Sequence, residues 1–318
     1  MDSESINKVA VIGLGTMGHG IVQTMAVGGC QVRGYDKSSA LRETLIPRIK
    51  TNLNQMVAVG LLKQESIAEI LDRITLCESD SDAVSDSEFV TEAVIEDLAL
   101  KQELFERLEA SVKQSTILAS NTSSYPSTKI AARMRFPDRA LVTHWFNPPH
   151  VVPVVEVVPG ERTSADVVQA SCDFLARIGK LPVRVNMEIP GFIVNRIQMA
   201  MCREIWDLLD RGVASAEEID RAVRGSMGLR LAALGPLAIS DFAGWDVTAK
   251  VYQNLIPHLR SDSELPGRIG QLIADGHFGA KSGQGVFDYP SDCLEQRIAE
   301  RDRTYLELIK LLKNDTRK

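Results

Sequence analysis

The sequence is short of what would assign it to a membrane, a genome or an oxidising compartment. No apolar run approaches the ~20 residues of a membrane-spanning helix. Basic residues are not in surplus: Lys and Arg number 36 against 42 for Asp and Glu, a formal charge of −6. They are scattered without a stripe or tail, so nucleic acid is not an expected partner. The five cysteines, Cys30, Cys77, Cys172, Cys202 and Cys293, are odd in number, far apart and without C-x-x-C spacing. Neither a disulfide framework nor a metal site is suggested, and a reducing cytoplasm is the expected location. The start, Met1-Asp2-Ser3-Glu4-Ser5, is acidic and closely precedes the first strand. That pattern predicts neither a secretory signal nor an Arg-rich transit peptide.

What is there begins with a strand and a turn. Lys8-Val9-Ala10-Val11-Ile12 is β-branched, and Gly13-Leu14-Gly15-Thr16-Met17-Gly18 follows at once. An apolar helix through Ile21, Val22 and Met25 comes next, then a strand, Gln31 to Tyr35, ending in Asp36. In this strand–turn–helix–strand frame Gly13 makes the tight turn, Gly15 admits a pyrophosphate, and Gly18 lets helix pack on strand. The helix N-terminus supplies the positive end of a dipole. Asp36 is placed to accept from ribose hydroxyls and to repel a 2′-phosphate, which favours NAD over NADP; FAD uses a similar turn and is the alternative cofactor. His19, in the first helical turn, reads as a tolerated surface residue.

Helical and strand patterns then alternate, which argues a doubly wound, mainly parallel sheet. Residues 38–74 hold two helical patterns (Leu41, Leu45, Ile49, Leu53 and Met56; then Ile67, Ile70 and Leu71), a helical hairpin inserted between strands. The serine-rich segment 78–88 reads as a loop or capping region. Further strands fall at 73–76, 89–94, 116–119, 140–144 and 181–185. After Ile189-Pro190-Gly191 everything reads as helix, giving a domain over 1–188 and an all-α second domain over 189–318. Ser215-x-x-Glu218 is a capping box.

One carboxylate needs explaining. Val151-Val152-Pro153-Val154-Val155-Glu156-Val157-Val158 is rich in valine, as in a strand buried on both faces. An ionised Glu156 there costs several kcal/mol, as an order of magnitude, unless something pairs with it. The nearest good candidate is His144, ahead of Asn147-Pro148-Pro149, which breaks regular structure and can bring the two segments side by side. A neutral imidazole held by a buried carboxylate is a well-placed general base.

The chain resembles the NAD-dependent 3-hydroxyacyl-CoA dehydrogenase family. The resemblance is carried by Val11 to Gly18, Glu92-Ala93-Val94-Ile95-Glu96, Ser120-Asn121-Thr122-Ser123-Ser124, His144-Trp145-Phe146-Asn147-Pro148, Val155-Glu156-Val157 and Pro190 to Arg196. Gly235-Pro236-Leu237 and Phe278 to Gly285 extend it over nearly the whole chain. It implies a Rossmann-type domain, a helical second domain and a homodimer through the latter. It also implies hydride transfer to NAD, with His144 as base, Glu156 as its partner, and Ser123 and Asn195 holding the reacting oxygen. Glu96, Lys101, Asn147 and Lys281 fall where the family contacts the nicotinamide half of NAD. Members that take coenzyme A esters tend to carry a lysine shortly before the Val-Glu pair; this chain has none. Counting along the first hairpin to the positions for a serine and a lysine against coenzyme A lands on Asn52 and Val59. The Asn-Pro-Pro-His pattern is closer to members acting on small free acids, of the L-gulonate 3-dehydrogenase (λ-crystallin) and pyridine-carboxylate dehydrogenase types. A free acid needs a cation, and Arg230 is the candidate. A coenzyme A ester substrate, or a non-catalytic NAD-binding protein, are the alternatives.

Overall fold

The computed structural model describes residues 6–315; the acidic start, and with it the expectation about a leader, lies outside the described residues. Eight strands form one sheet: β1 Lys8–Ile12, β2 Gln31–Tyr35, β3 Ile74–Leu76, β4 Phe89–Glu92, β5 Ile117–Ser120, β6 Ala140–Trp145, β7 Val154–Pro159 and β8 Leu181–Arg184. Their order is β3-β2-β1-β4-β5-β6-β7-β8. Neighbours run parallel except β6 and β7, which are antiparallel. The chain steps outward from β1 to β3 and returns to β4 on the other side of β1. That reversal opens a crevice at the carboxyl ends of β1 and β4, where doubly wound sheets take ligands.

Helices α1 Gly18–Val27, α2 Ser39–Glu43, α3 Leu45–Ala58, α4 Ser66–Asp72, α5 Asp80–Val84, α6 Leu98–Ser111, α7 Ser127–Ile130 and α8 Ala165–Arg177 connect the strands. Strand alternation sorts the core into two layers. Val9 and Val11 of β1 face α1, α3, α4 and α8 through Ile21, Met25, Ile49 and Phe174. Ala10 and Ile12 face the opposite layer, with Leu104, Phe105 and Leu108 of α6. The inserted hairpin is not a projection: Leu45, Ile49 and Leu53 are wholly buried in the first layer, each adding roughly 1.5–3 kcal/mol. The segment 78–88, expected as a loop or capping region, contains α5. Ser79 caps it by accepting from Asp82 N–H, Asp80 and Asp82 occupy the first turn, and Ala83 and Val84 are buried.

The described chain divides into two compact units, Met1–Arg196 with Tyr305–Lys310, and Ile197–Thr304 with Leu311–Lys318. Helices α9 Val194–Asp210, α10 Ala216–Ala222, α11 Leu229–Ala233, α12 Pro236–Ala243, α13 Trp245–Leu255, α14 Gly267–Ala274 and α15 Leu294–Asp315 supply the rest. Ser215 caps α10, accepting from Glu218 N–H. A π-helical turn, Val223–Gly228, joins α10 to α11. No helix among the described residues is long and apolar enough to cross a membrane.

Candidate active site

His144 and Glu156 stand directly opposite each other in the antiparallel pair β6/β7. The Asn147–Pro148 bond in the connection between them is cis. His144 Nδ1 lies 2.7 Å from Glu156 Oε2, with the imidazole 4% and the glutamate 0% exposed. An ionised carboxylate only accepts, so Nδ1 carries the proton and Nε2 is the acceptor. Glu156 Oε1 accepts from the N–H groups of Ile193 and Val194, both at 2.9 Å. Gly191 (φ 76°) and Phe192 (φ 49°) are successive left-handed residues that turn those amides onto one oxygen at the start of α9. Burial pushes the Glu156 carboxyl up, but the bonds from His144, Val194 and Ile193 outweigh it and hold it below the usual range. The imidazole packs against Phe146 and Phe192, with ring centroids 4.5 and 5.4 Å away.

The serine-rich loop leaves the same end of the sheet. β5 and β6 pair through Ser120↔Val142, and Asn121 Oδ1 accepts from Trp145 N–H at 2.9 Å. The loop is therefore pinned beside the residue that follows His144. Ser123 is exposed, and its N–H donates to Glu96 Oε1. The same oxygen accepts from Thr122 Oγ1 and Ser124 N–H. Burial raises the Glu96 carboxyl, and the Thr122 hydroxyl and Lys101 ammonium more than reverse this.

Lys101, expected against the cofactor, is 1% exposed and is engaged by two carboxylates. Its Nζ lies 2.6 Å from Glu92 Oε1 and 3.2 Å from Glu96 Oε2. Glu92, at the end of β4, is fully buried and also accepts from Val94 N–H and Ser120 Oγ. Sequence reasoning missed this role for Glu92, because a lysine nine residues on reads as an ordinary helix charge. Lys101→Met would strand a buried carboxylate, so it is expected to lower unfolding stability in urea by ~3–5 kcal/mol. Glu92→Gln with Lys101→Met should recover most of that loss; wild-type stability of the single variant would make the tie energetically empty. Lys180 was missed as well: 6% exposed, its Nζ donates to Pro149 O (2.6 Å) and Val152 O (2.8 Å), fastening the β6–β7 connection.

The crevice between β1 and β4 holds a cavity of about 330 Å³ lined by Gly13, Gly15, Tyr35, Asp36, Ala93 and Leu100, among others. Gly13 has φ 96°, and a Cβ there would lie 2.5 Å from Ala93 O; one on Gly18 would overlap Gly13 O. A Cβ on Gly15 would meet nothing within 4 Å, so the backbone is open to a close ligand. The N–H groups of Gly15 and Thr16 have no partner among the described residues. Open glycine backbone, unpartnered amides and an aspartate at the end of β2 fit a dinucleotide with free ribose hydroxyls.

Asn195 lies half-buried in the first turn of α9, and Asn147 is exposed beside Pro148. Asn52 donates to Gln23 Oε1, and Val59 ends α3. In the second unit Arg230 is exposed, with Nε and Nη2 each 3.3 Å from Ser226 oxygens, and Lys281 Nζ lies 5.3 Å from the Phe278 ring centroid. His19 is half-buried rather than a plain surface residue, and its Nδ1 meets Gly15 O at 3.0 Å.

Known proteins resemble this chain along most of its length. Residues 8–189 match the 3-hydroxyacyl-CoA dehydrogenase NAD binding domain, and residues 191–289 match the C-terminal domain of the same name. The 5-formyl-3-hydroxy-2-methylpyridine 4-carboxylate 5-dehydrogenase of Mesorhizobium japonicum is 35% identical, covering 96% of this chain and 98% of its own. A crystal structure of an enzyme of that activity, described as an NAD+-dependent dismutase, superposes with a TM-score of 0.90 at 34% identity, over 97% of this chain and 99% of its own. The 3-hydroxybutyryl-CoA dehydrogenase of Clostridioides difficile is 34% identical, covering 89% of this chain and 99% of its own.

Proposed function

We propose, from the premise that the chain belongs to the 3-hydroxyacyl-CoA dehydrogenase family, that it oxidises the secondary hydroxyl of a small free hydroxy acid to the oxo acid. The class is that of an NAD-dependent oxidoreductase acting on CH–OH, and the cofactor is NAD rather than FAD. The observation that carries the mechanism is the 2.7 Å bond from His144 Nδ1 to Glu156, with the other glutamate oxygen saturated by two backbone amides.

When bound, NAD supplies a nicotinamide carbon that takes a hydride from the alcohol carbon. His144 Nε2 takes the hydroxyl proton. Glu156 stays ionised and stabilises the imidazolium that results. Ser123 Oγ and the Asn195 amide are assigned to hold the oxygen as it becomes a carbonyl. The turn amides of Gly15 and Thr16, with Leu14, Met17 and Asp36, hold the diphosphate and adenosine ribose. Glu96 and Asn147 serve the nicotinamide side; Lys101 serves it through Glu96. Lys281 and Arg230 enter this assignment on the resemblance alone, as cofactor contact and carboxylate clamp.

A free acid is favoured over a coenzyme A ester because the pyridine-carboxylate dehydrogenase structure superposes with a TM-score of 0.90, against 0.74 for two 3-hydroxybutyryl-CoA dehydrogenase structures. The absence of lysine between Asn147 and Glu156 points the same way. NADH absorbance with 3-hydroxybutyryl-CoA, 3-hydroxybutyrate, L-gulonate, carnitine and a pyridine alcohol carboxylate tests this. A free acid is expected to give the highest kcat/KM. The coenzyme A ester leading would install the alternative, and inertness of all, with NADH still bound, would favour a non-catalytic protein.

The domain roles belong to the same proposal: cofactor binding over 1–188, substrate and assembly over 189–318. Leu209 and Ile219 are the buried hydrophobics among the second unit's described residues, whereas Phe242 is 82%, Leu237 72%, Leu229 70% and Trp245 55% exposed. A unit with so little core of its own needs its apolar surface covered, and a second copy is the assigned cover. Sedimentation should give about twice 34.9 kDa; a stable monomer at micromolar concentration would end the dimer assignment. The five cysteines are all unpaired, in keeping with placement in the reducing cytoplasm.

A further inference from the structure

The turn after β1 is gripped from two sides by side chains of opposite charge. On one side Asp36 accepts from Leu14 N–H on Oδ2 (2.7 Å) and from Ser38 N–H on Oδ1 (2.9 Å). On the other, Arg48 reaches from α3 to donate to Leu14 O (Nη2, 2.8 Å) and, more distantly, to Gly15 O (Nη1, 3.4 Å), which also accepts from His19 N–H (3.3 Å) and meets His19 Nδ1 (3.0 Å). Its remaining contacts, to Leu41 O and Thr44 O at 3.2 and 3.3 Å, anchor the guanidinium to its own helical layer. Burial disfavours the charge of this arginine, with Asp36 acting the other way. The charge is therefore kept at some cost.

A trans peptide points its N–H opposite to its C=O. Turning the Leu14 and Gly15 carbonyls toward α3 therefore turns the amides of Gly15 and Thr16 away from it. These are the two amides that take no partner among the described residues, at the glycine whose missing Cβ leaves open space. Helix α1, ten residues long, begins two residues later and adds the positive end of its dipole.

We propose that Arg48 is a positioning residue for the cofactor. By holding the Leu14 carbonyl, and sharing the Gly15 carbonyl with His19, it aims the Gly15 and Thr16 amides at the NAD diphosphate, and its fixed charge lies behind them. This rests on the NAD reading above. The forked geometry matters as much as the charge, because two carbonyls must be held at once.

The test uses the full chain and calorimetric titration with NAD+, ADP-ribose and adenosine, the last lacking the diphosphate. Arg48→Met is expected to weaken NAD+ and ADP-ribose about tenfold and alike, the scale of one charge-assisted hydrogen-bond pair, with adenosine unaffected. Arg48→Lys keeps the charge without the fork and should recover only part of the loss. Unchanged ADP-ribose affinity in Arg48→Met would overturn the proposal. So would an equal loss for adenosine, which would make the arginine an anchor of the β2–α3 wall. Full recovery by lysine would remove the fork from the account and overturn the positioning role. Failure of the wild-type chain to bind NAD+ would strike the cofactor reading instead, and is separately visible.

Discussion

His144→Gln is expected to lower kcat about 10⁴-fold, the upper range for losing a general base, while NADH affinity stays at the wild-type value. The imidazole is buried to 4%, so the substitution acts on one enclosed position and not on the cofactor crevice at β1 and β4. Glutamine is close in volume, and its side-chain amide can still donate to Glu156, so the buried carboxylate keeps a partner and the fold should hold. What is lost is Nε2 as a proton acceptor: an amide oxygen is too weak a base to take the hydroxyl proton. Steady-state kcat and a fluorescence titration with NADH measure the two quantities separately. Lost NADH binding together with residual turnover would show that His144 holds the crevice together and that another group is the base.

How much of this was legible depends on whether the constraint is local. Gly13, Gly15 and Gly18 were readable because they recur at a fixed spacing between a strand and a helix. Gly18 shows the local reason, since a Cβ there would overlap Gly13 O. The His144–Glu156 pair was readable because a carboxylate inside a valine run has to be answered, and a break-forming Asn-Pro-Pro lay between it and the imidazole of His144. Ser123 and Asn195 enter the proposed site only through resemblance: a serine in a serine-rich loop and an asparagine in a first helical turn both have commonplace reasons to be there. The remainder is tertiary. Glu92 and Lys101 sit on a strand and on the helix after it, and only the packing of α6 on β4 shows that neither charge is solvated. Arg48 falls in the polar stripe of α3, where periodicity marks it as a surface residue, yet the hairpin folds flat and delivers it to the turn after β1. Segment 78–88 could be read no further than loop or capping region, because serines that cap a helix and serines that line a loop look alike until Ala83 and Val84 are seen to be buried.

Glu156→Gln is the second large effect, and its cause is specific. Oε1 of Glu156 takes two backbone N–H groups, from Ile193 and Val194, at 2.9 Å each. A glutamine in this place must put its carbonyl oxygen there, because an NH2 group would face two donors and strand them in a buried site. The amide nitrogen then occupies the Oε2 position, 2.7 Å from His144 Nδ1 in the wild type. An NH2 group donates, so Nδ1 has to accept and the imidazole proton moves to Nε2. The tautomer is inverted, and the nitrogen facing the substrate hydroxyl becomes a donor with no free lone pair. Loss of kcat on the order of 10³-fold or more is expected, as for a buried carboxylate-to-amide change behind a catalytic imidazole, with thermal stability and NADH affinity close to wild type. Glu156→Ala leaves Nδ1 without a donor opposite and does not enforce the wrong tautomer, although it unmakes the bonds to Ile193 and Val194. It should therefore be less stable than Glu156→Gln yet retain more activity per folded molecule. The opposite ranking, with the glutamine variant the faster of the two, would mean that the carboxylate serves packing at the start of α9 and not the imidazole.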